Sequence, residues 1–275
     1  MILAGLNHIH ALGGSKSAGL GWLEWKSPIL RDPTLLKDAA TVNYMSVSQT
    51  QKYFAVGTEI GFEIMQNDSN MSKGTLKKKT VTFNSSVAMI EMMYKSNFIA
   101  LVMEDALDKV IIWDDYEERT RTEVSFHSEV RNIKLSKEHL VVVLDEKVFV
   151  FNFDTLKCID QIETIDNPKG IVAMSQGEKP VNRVVICPHE YKGMLKVHIF
   201  VMDKSINNTV TAHESEIGAL TVNADGTLMA SASIKGTVIR ILSVEGGEQL
   251  QELRRGSSKA DINSLIFHPH LNLLA

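Results

Sequence analysis

The sequence repeats a unit of short strand-like runs and polar turns about every 40 residues, and this repeat limits the possible folds most strongly. The clearest unit is IGALTVNADGTLMASASIKGTVIRILSVEGGEQLQEL, where 224–226 and 234–236 are turn signals between β-type runs. Another unit has β-rich runs at 98–103 and 109–113. Four short strands in each unit are typical of propeller blades. The sequence therefore predicts an all-β propeller of about five and a half blades, the sixth beginning at Ile262.

The repeat covers 41–275, and we expect a partial propeller there, with blades one to five and the start of blade six. Residues 1–40 fit no blade, so we expect them to form a poorly ordered extension. Residues 66–79 read as a polar connector that ends in a basic run. A two-sheet sandwich is the alternative fold, but it does not explain a regular repeat with the same Gly-Thr turn pattern.

Composition excludes several function classes. The net charge of −4 does not favour a nucleic-acid binder, so no nucleic acid is expected as a partner. The two cysteines, Cys158 and Cys187, lie outside any CxxC pattern and favour a reducing cytosol. The HIH and HPH sequences at 8–10 and 268–270 lack a third ligand at suitable spacing. We therefore expect no metal and no cofactor.

Short motifs in several units carry a family resemblance. KVIIWDD closes an earlier unit as a WD-type blade closes its third strand, and LRRG at 253–256 follows KGT and the earlier NPKG. These residues resemble the PROPPINs, which are WD-repeat β-propellers of autophagy, known in animals as WIPI proteins. The resemblance runs from about Tyr44 to Ala275 and is nearest to the plant autophagy-related 18-like members. It implies a seven-bladed fold that binds phosphatidylinositol 3-phosphate and the 3,5-bisphosphate through two rim pockets.

The resemblance assigns the site residues. The first pocket of the family maps onto His213, Ser231, Ser233, Gly236, Thr237, Arg240 and Arg254, and the second onto Arg255 and Gly256. In an extended segment, neighbouring side chains point to opposite sides, so Arg254 and Arg255 can serve separate pockets. The planar arginine fork donates two parallel hydrogen bonds to phosphate oxygens. The rest of the second pocket and the membrane-inserting loop of the family map beyond Ala275, so we expect weaker membrane binding than in a longer relative.

Structural roles compete with these assignments. Arg254 and Arg255 could be a solvated pair, and His213 could brace a neighbouring turn. The two serines, Ser231 and Ser233, could fill small interior spaces. Arg240 could pair with Glu245 or Glu252.

The resemblance implies an adaptor rather than an enzyme. We expect phosphoinositide recognition during autophagosome formation, and a cytoplasmic protein peripheral to preautophagosomal, endosomal or vacuolar membranes. The acidic stretch 104–118 is a candidate docking site for a lipid-transfer or scaffold protein near blades two and three. A WD-repeat scaffold without lipid binding is the main alternative. A hydrolase would need His or carboxylate residues converging from successive units, and the sequence shows none at matching positions.

Overall fold

A computed structural model describes residues 41–50, 52–66, 78–94, 96–177, 179–201, 204–268 and 274. Within these ranges the chain is all-β and forms five four-stranded antiparallel sheets. In every sheet, strands adjacent in sequence are neighbours, which is the arrangement predicted for blades. The prediction of an all-β propeller is confirmed.

The strands follow one another with short turns. The first sheet contains β1 (Val42–Val47), β2 (Tyr53–Thr58), β3 (Gly61–Gln66) and β4 (Lys78–Thr82). The second contains β5 (Val87–Met92), β6 (Phe98–Met103), β7 (Ala106–Asp114) and β8 (Arg119–Ser125). The third contains β9 (Asn132–Leu135), β10 (His139–Val143), β11 (Lys147–Asn152) and β12 (Cys158–Glu163). The fourth contains β13 (Ala173–Met174), β14 (Arg183–Pro188), β15 (Met194–Val201) and β16 (Lys204–Thr211). The fifth contains β17 (Ile217–Val222), β18 (Leu228–Ser233), β19 (Val238–Ser243) and β20 (Gln249–Arg254).

The described residues divide into two compact units. One holds 41–144 and 150–157, and its core joins the first and second sheets through Phe62, Ile90 and Leu101. The other holds 145–149, 158–268 and 274, and it contains all nine predicted site residues.

The central strand of the fifth sheet, β18, is buried on both of its faces. β18 reads LMASAS, and all six residues are buried. Met229 packs with Leu195 and Val197 of the fourth sheet, whereas Ala230 packs with Leu265 and Phe267. Alternation along the strand therefore gives the sheet two separate apolar faces.

Most of the predicted strand pattern is confirmed, with one correction. β6 covers the predicted run 98–103, and the turn signals of the fifth unit separate β17, β18 and β19. The expected connector over 66–79 is wrong at both ends, because Gln66 closes β3 and Lys78 and Lys79 begin β4. The start of the sixth unit shows one isolated bridge, Phe267 to Leu274, among its described residues.

Residues 1–40, 67–77 and His270 lie outside the described residues. The described part of the chain contains no helix long and apolar enough to span a membrane.

Candidate functional site at one end of the fifth sheet

Six of the nine predicted site residues lie at one end of the fifth sheet because of its antiparallel register. Ile217 at the start of β17 pairs with Ser233 at the end of β18. Val238 at the start of β19 pairs with Arg254 at the end of β20. The 234–237 turn and the 255–260 loop therefore leave the sheet at the same end.

Gly236 is required by the contact between this turn and this loop. Its φ is +59°, and an added Cβ would lie 1.8 Å from the Ala260 carbonyl oxygen. The Arg255 amide donates to the Thr237 carbonyl at 2.9 Å, and the Ala260 amide donates to the Lys235 carbonyl at 3.2 Å. The loop is thus held against the turn by backbone hydrogen bonds at both of its ends.

The two adjacent arginines are in different environments. Arg254 is exposed, and within the described residues its guanidinium has no hydrogen-bond or ion-pair partner. Arg255 is half-buried, and it donates from Nε to the Gly236 carbonyl and from a terminal nitrogen to the Ser258 carbonyl, each at 2.5 Å. Arg255 therefore holds the loop, whereas the Arg254 guanidinium is available to a ligand.

The space around the arginine pair is open. An added Cβ at Gly256 would meet no atom within 4 Å, and Gly256 is absent from the glycines with positive φ. The backbone of this chain therefore does not require glycine there, and the open space suits close approach of a ligand. Lys235 and Lys259 are also exposed. We call Lys235, Arg254, Arg255 and Lys259 the cationic end of the sheet.

Ser231 lies within β18 and His213 in the connection from β16 to β17, and both side chains are buried. His213 Nε2 and Ser231 Oγ are 3.0 Å apart and share a hydrogen bond. Ser231 has no exposed surface, and His213 is 5% exposed. Burial lowers the pKa of His213, as does the Arg240 charge, although the hydrogen bond to Ser231 and the Glu252 charge act in the other direction. His213 is therefore neutral at pH 7 and braces the blade.

Arg240 is occupied by partners of its own chain. It lies between Ser231 and Glu252 in the sheet register. Its Nε donates to Glu252 Oε2 at 2.9 Å, and a terminal nitrogen donates to the Ala212 carbonyl at 2.6 Å. Of the two carboxylates weighed for Arg240, the structure therefore selects Glu252. Glu245 instead accepts a bond from Asn182 at 3.3 Å.

Ser233 and Thr237 shape the turn. Ser233 is buried, its carbonyl accepts from the Gly236 amide at 2.8 Å, and its Oγ accepts from the Lys235 amide at 3.4 Å. The Thr237 carbonyl also accepts from the Gly256 amide, at 3.3 Å. The nine residues thus form two groups. His213, Ser231 and Arg240 form the interior group, and the other six, Ser233, Gly236, Thr237, Arg254, Arg255 and Gly256, lie at the sheet end.

Sequence reasoning missed the two lysines of the cationic end. Lys235 lies in the predicted turn, and Lys259 follows the arginine pair by four residues. Both lysines carry the same charge as Arg254, which is predicted to bind phosphate, and they precede and follow it in the sequence. This shared positive charge is the signal that could have identified them. No group of three potential metal ligands occurs among the described residues.

The family of the chain follows from comparison with known proteins. The family model described as PROPPIN matches residues 41–275, so the chain belongs to the PROPPIN family. It is 35% identical over 228 residues to autophagy-related protein 18e of Arabidopsis thaliana, covering 81% of this chain. The chain spans 59% of the length of that relative.

Solved structures support the fold. Hsv2 of Kluyveromyces lactis superposes with a TM-score of 0.72 at 22% identity, over 84% of this chain and 69% of that one. KlAtg21, solved in complex with the coiled coil of AgAtg16, superposes with a TM-score of 0.69 at 24% identity, over 85% of this chain and 76% of that one. At these identities the likeness shows the fold alone.

Proposed function

We propose that this chain is a non-enzymatic adaptor that binds 3-phosphorylated inositol lipids and acts in autophagosome formation. The observation that carries the proposal is the exposed Arg254 guanidinium, which has no partner in the described part of the chain. Membership of the PROPPIN family and similarity to autophagy-related proteins support the same function.

The chemistry of the cationic end suits a phosphorylated sugar headgroup. Arg254 can donate two parallel hydrogen bonds to one phosphate, and each charge-assisted bond contributes about 1.5–3 kcal/mol where water is partly excluded. Lys235 and Lys259 add positive charge that attracts an anionic membrane. Arg255 can exchange its two carbonyl partners for a second phosphate, such as that of the 3,5-bisphosphate.

The interior group has a different part in this proposal. His213 and Ser231 are buried and bonded to each other, and Arg240 is paired with Glu252. We assign them to holding the blade that presents the turn and the loop. Direct contact between them and a headgroup stays a prediction, and it would require Arg240 to leave Glu252.

A vesicle flotation assay tests the proposal. The wild-type chain is mixed with phosphatidylcholine vesicles that contain phosphatidylinositol 3-phosphate, the 3,5-bisphosphate or unphosphorylated phosphatidylinositol. We expect recruitment only by the phosphorylated lipids. The double substitution Arg254→Thr/Arg255→Thr should weaken apparent affinity by about a hundredfold.

The matched control removes the same charge elsewhere. Lys52 and Lys157 are exposed lysines of the other unit. The Lys52→Thr/Lys157→Thr variant should float as the wild type does. Equal flotation of the wild type and the double-arginine variant would refute the proposal, and so would equal loss in both double variants.

A protein-docking role is the second candidate. The structural neighbour KlAtg21 was solved bound to a coiled coil, and the 114–119 turn of the second sheet carries Tyr116, which is 87% exposed. We place docking of an autophagy protein near the second and third sheets, alongside lipid binding at the fifth. A Tyr116→Ala variant that loses partner capture but keeps flotation would separate the two roles.

This proposal includes a location. A cytoplasmic protein with one cationic end would associate peripherally with preautophagosomal, endosomal or vacuolar membranes. Replacing Arg254 and Arg255 by threonine should change punctate fluorescence in cells to a diffuse signal. Unchanged puncta would favour a scaffold without lipid binding.

A further inference from the structure

The loop that follows β20 is exposed and open in its middle. Ser257, Ser258 and Lys259 are all exposed. Among the described residues, backbone hydrogen bonds hold the loop only at Arg255, Gly256 and Ala260. Between these points, no hydroxyl of the two serines and no amide of 257–259 has a partner in the same described part of the chain. This short stretch can therefore extend into the active site of another enzyme without breaking a hydrogen bond of the sheet.

The loop also carries the charge pattern of a kinase substrate. Arg254 and Arg255 precede Ser257 by three and two residues in the sequence LRRGSS. Protein kinases select many substrates by charge pattern, and an acidic substrate groove binds guanidinium groups on the amino-terminal side of the acceptor serine. Gly256 leaves space beside the acceptor, because nothing lies within 4 Å of an added Cβ there.

We propose that Ser257 is a phosphorylation site whose phosphate binds Arg254 and blocks anion capture at the cationic end. The inhibitory part rests on the proposed function of that end. A serine/threonine kinase with an acidic groove supplies the γ-phosphoryl group of ATP. Ser257 Oγ forms the new bond to phosphorus as the bond to the β,γ-bridging oxygen breaks, ADP leaves, and the hydroxyl proton passes to a carboxylate of the kinase.

Phosphorylation would reverse the local charge balance. A phosphoserine carries about −1.5 to −2 charges at pH 7 and three strong acceptor oxygens. Ser257 and Arg254 are three residues apart, a span of at most roughly 11 Å in extended chain, which their long side chains can bridge. Lys235 and Lys259 add further cations, and Asp261 is the exposed carboxylate that follows the loop. The phosphate on Ser257 therefore binds the same Arg254 guanidinium that a headgroup phosphate would bind.

Ser257 is a better acceptor than Ser258. Ser258 lies one residue further from both arginines, and its carbonyl accepts the Arg255 bond. Moving Ser258 into an active site would break that bond, whereas Ser257 has no such contact among the described residues. Ser258→Ala is therefore a matched control for Ser257→Ala.

In vitro phosphorylation tests the site itself. The full 275-residue chain is incubated with ATP, Mg²⁺ and the catalytic subunit of cAMP-dependent protein kinase as an arginine-directed probe. Tandem mass spectrometry should locate one phosphate on Ser257 in the wild type and in Ser258→Ala, and none at this loop in Ser257→Ala. Absence of phosphate from Ser257, or equal labelling of Ser258 in the wild type, would overturn the assignment.

Flotation and ³¹P NMR test the consequence. Phosphorylated wild type should bind vesicles with phosphatidylinositol 3-phosphate at least about tenfold more weakly than the untreated protein, and kinase treatment should not affect Ser257→Ala. Unchanged flotation of the phosphorylated protein would refute the block.

The NMR arm separates this proposal from the proposed function. Pairing with Arg254 should lower the second pKa of phosphoserine 257 below its value in the phosphorylated Arg254→Gln variant. The variant is treated with kinase for longer, so that the same fraction of Ser257 is phosphorylated in both proteins. If the untreated chain ignores the lipid, the proposed function fails. In that case the pKa difference still confirms the phosphate–Arg254 contact, and equal pKa values refute it.

Discussion

The acidic turn of the second sheet and the cationic end of the fifth sheet use their charges differently. In the 114–119 turn, Asp114 accepts hydrogen bonds from the Asn97 side chain and from the amides of Tyr116 and Glu117. The neighbouring carboxylates of this turn are also paired, Asp115 and Glu118 with Lys79 and Glu117 with Arg119. At the cationic end, Arg254 has no such partner in the described residues.

This contrast shows which charges belong to the fold and which are available to a ligand. A charged group that is bonded within its own chain must lose that bond before it binds anything else. Arg240 of the fifth sheet resembles the acidic turn in this respect, because it is paired with Glu252. Substitution at Arg254 should therefore affect binding, and substitution in the paired regions should affect stability.

Charge reversal at Arg254 should have the largest effect. Arg254→Glu places a carboxylate where the lipid phosphate would bind, so affinity for phosphatidylinositol 3-phosphate vesicles should fall by about a hundredfold or more. The melting temperature should stay within about 2 °C of wild type, because the Arg254 side chain makes no bond to any described residue. Lys157→Glu, on an exposed lysine of the other unit, should leave flotation unchanged. An equal loss in both variants would indicate nonspecific attraction.

Truncation of Asp114 should have the opposite result. Asp114→Ala removes the acceptor of three hydrogen bonds, and the melting temperature should fall by about 5 °C while flotation stays normal. Asp105→Ala removes an exposed carboxylate from the same sheet and should change melting little. A stable Asp114→Ala protein with impaired flotation would contradict a structural role for Asp114.

The pH dependence of stability should reveal the buried state of His213. Burial lowers its folded-state pKa below the unfolded value of about 6.5, so the unfolded chain binds the proton first as pH falls. The stability that neutral His213 provides is complete above about pH 6.5 and is lost as pH falls toward the folded-state pKa. Chemical denaturation of wild type and His213→Gln from pH 7.5 to 5 should give a steeper decline for the wild type. Parallel curves would show that the folded-state pKa of His213 is not lowered.

Salt should have the smallest effect. Arg254 is exposed, so its attraction to lipid phosphate is screened by ions. Raising NaCl from 50 to 200 mM (concentrations chosen to span about 14 to 7 Å of Debye length) should weaken vesicle binding of wild type several-fold. The difference in melting temperature between wild type and Asp114→Ala should change much less, because the hydrogen bonds that Asp114 accepts are short-range. A binding curve insensitive to salt would contradict the role of the cationic end.

Much of the fold could be predicted from local sequence. The run FIALVM becomes β6 as predicted, because β-branched and apolar residues favour a buried strand between polar turns. The turn at 234–236 could be predicted because glycine is typical of turn positions with a positive φ, and Gly236 has one. β7 begins at Ala106, before the predicted run, because Ala106 pairs with Met103 across the turn. Such pairing depends on register rather than on residue type.

Membership of the site stays a prediction, and the sequence could not show the state of each side chain. The sequence allowed Arg240 to pair with Glu245 or Glu252, and the cross-strand register places Glu252 opposite Arg240. It assigned Arg254 and Arg255 to separate pockets, but it could not show that Arg255 lies beyond the end of β20 and donates to two loop carbonyls. Pairing across strands and burial decide these states, and neither is visible in a short motif.

We propose that Arg254, which has no partner among the described residues, takes the headgroup phosphate, whereas Arg240 stays paired with Glu252. Arginine Nε–Hε resonances, assigned with Arg254→Lys and Arg240→Lys variants, can be followed by NMR during titration with soluble short-chain phosphatidylinositol 3-phosphate. We predict that the Arg254 signal shifts in proportion to bound lipid, with no change for unphosphorylated phosphatidylinositol, while the Arg240 signal stays in place. A shift of the Arg240 signal with the Arg254 signal unmoved, or identical responses to both lipids, would refute phosphate binding by Arg254.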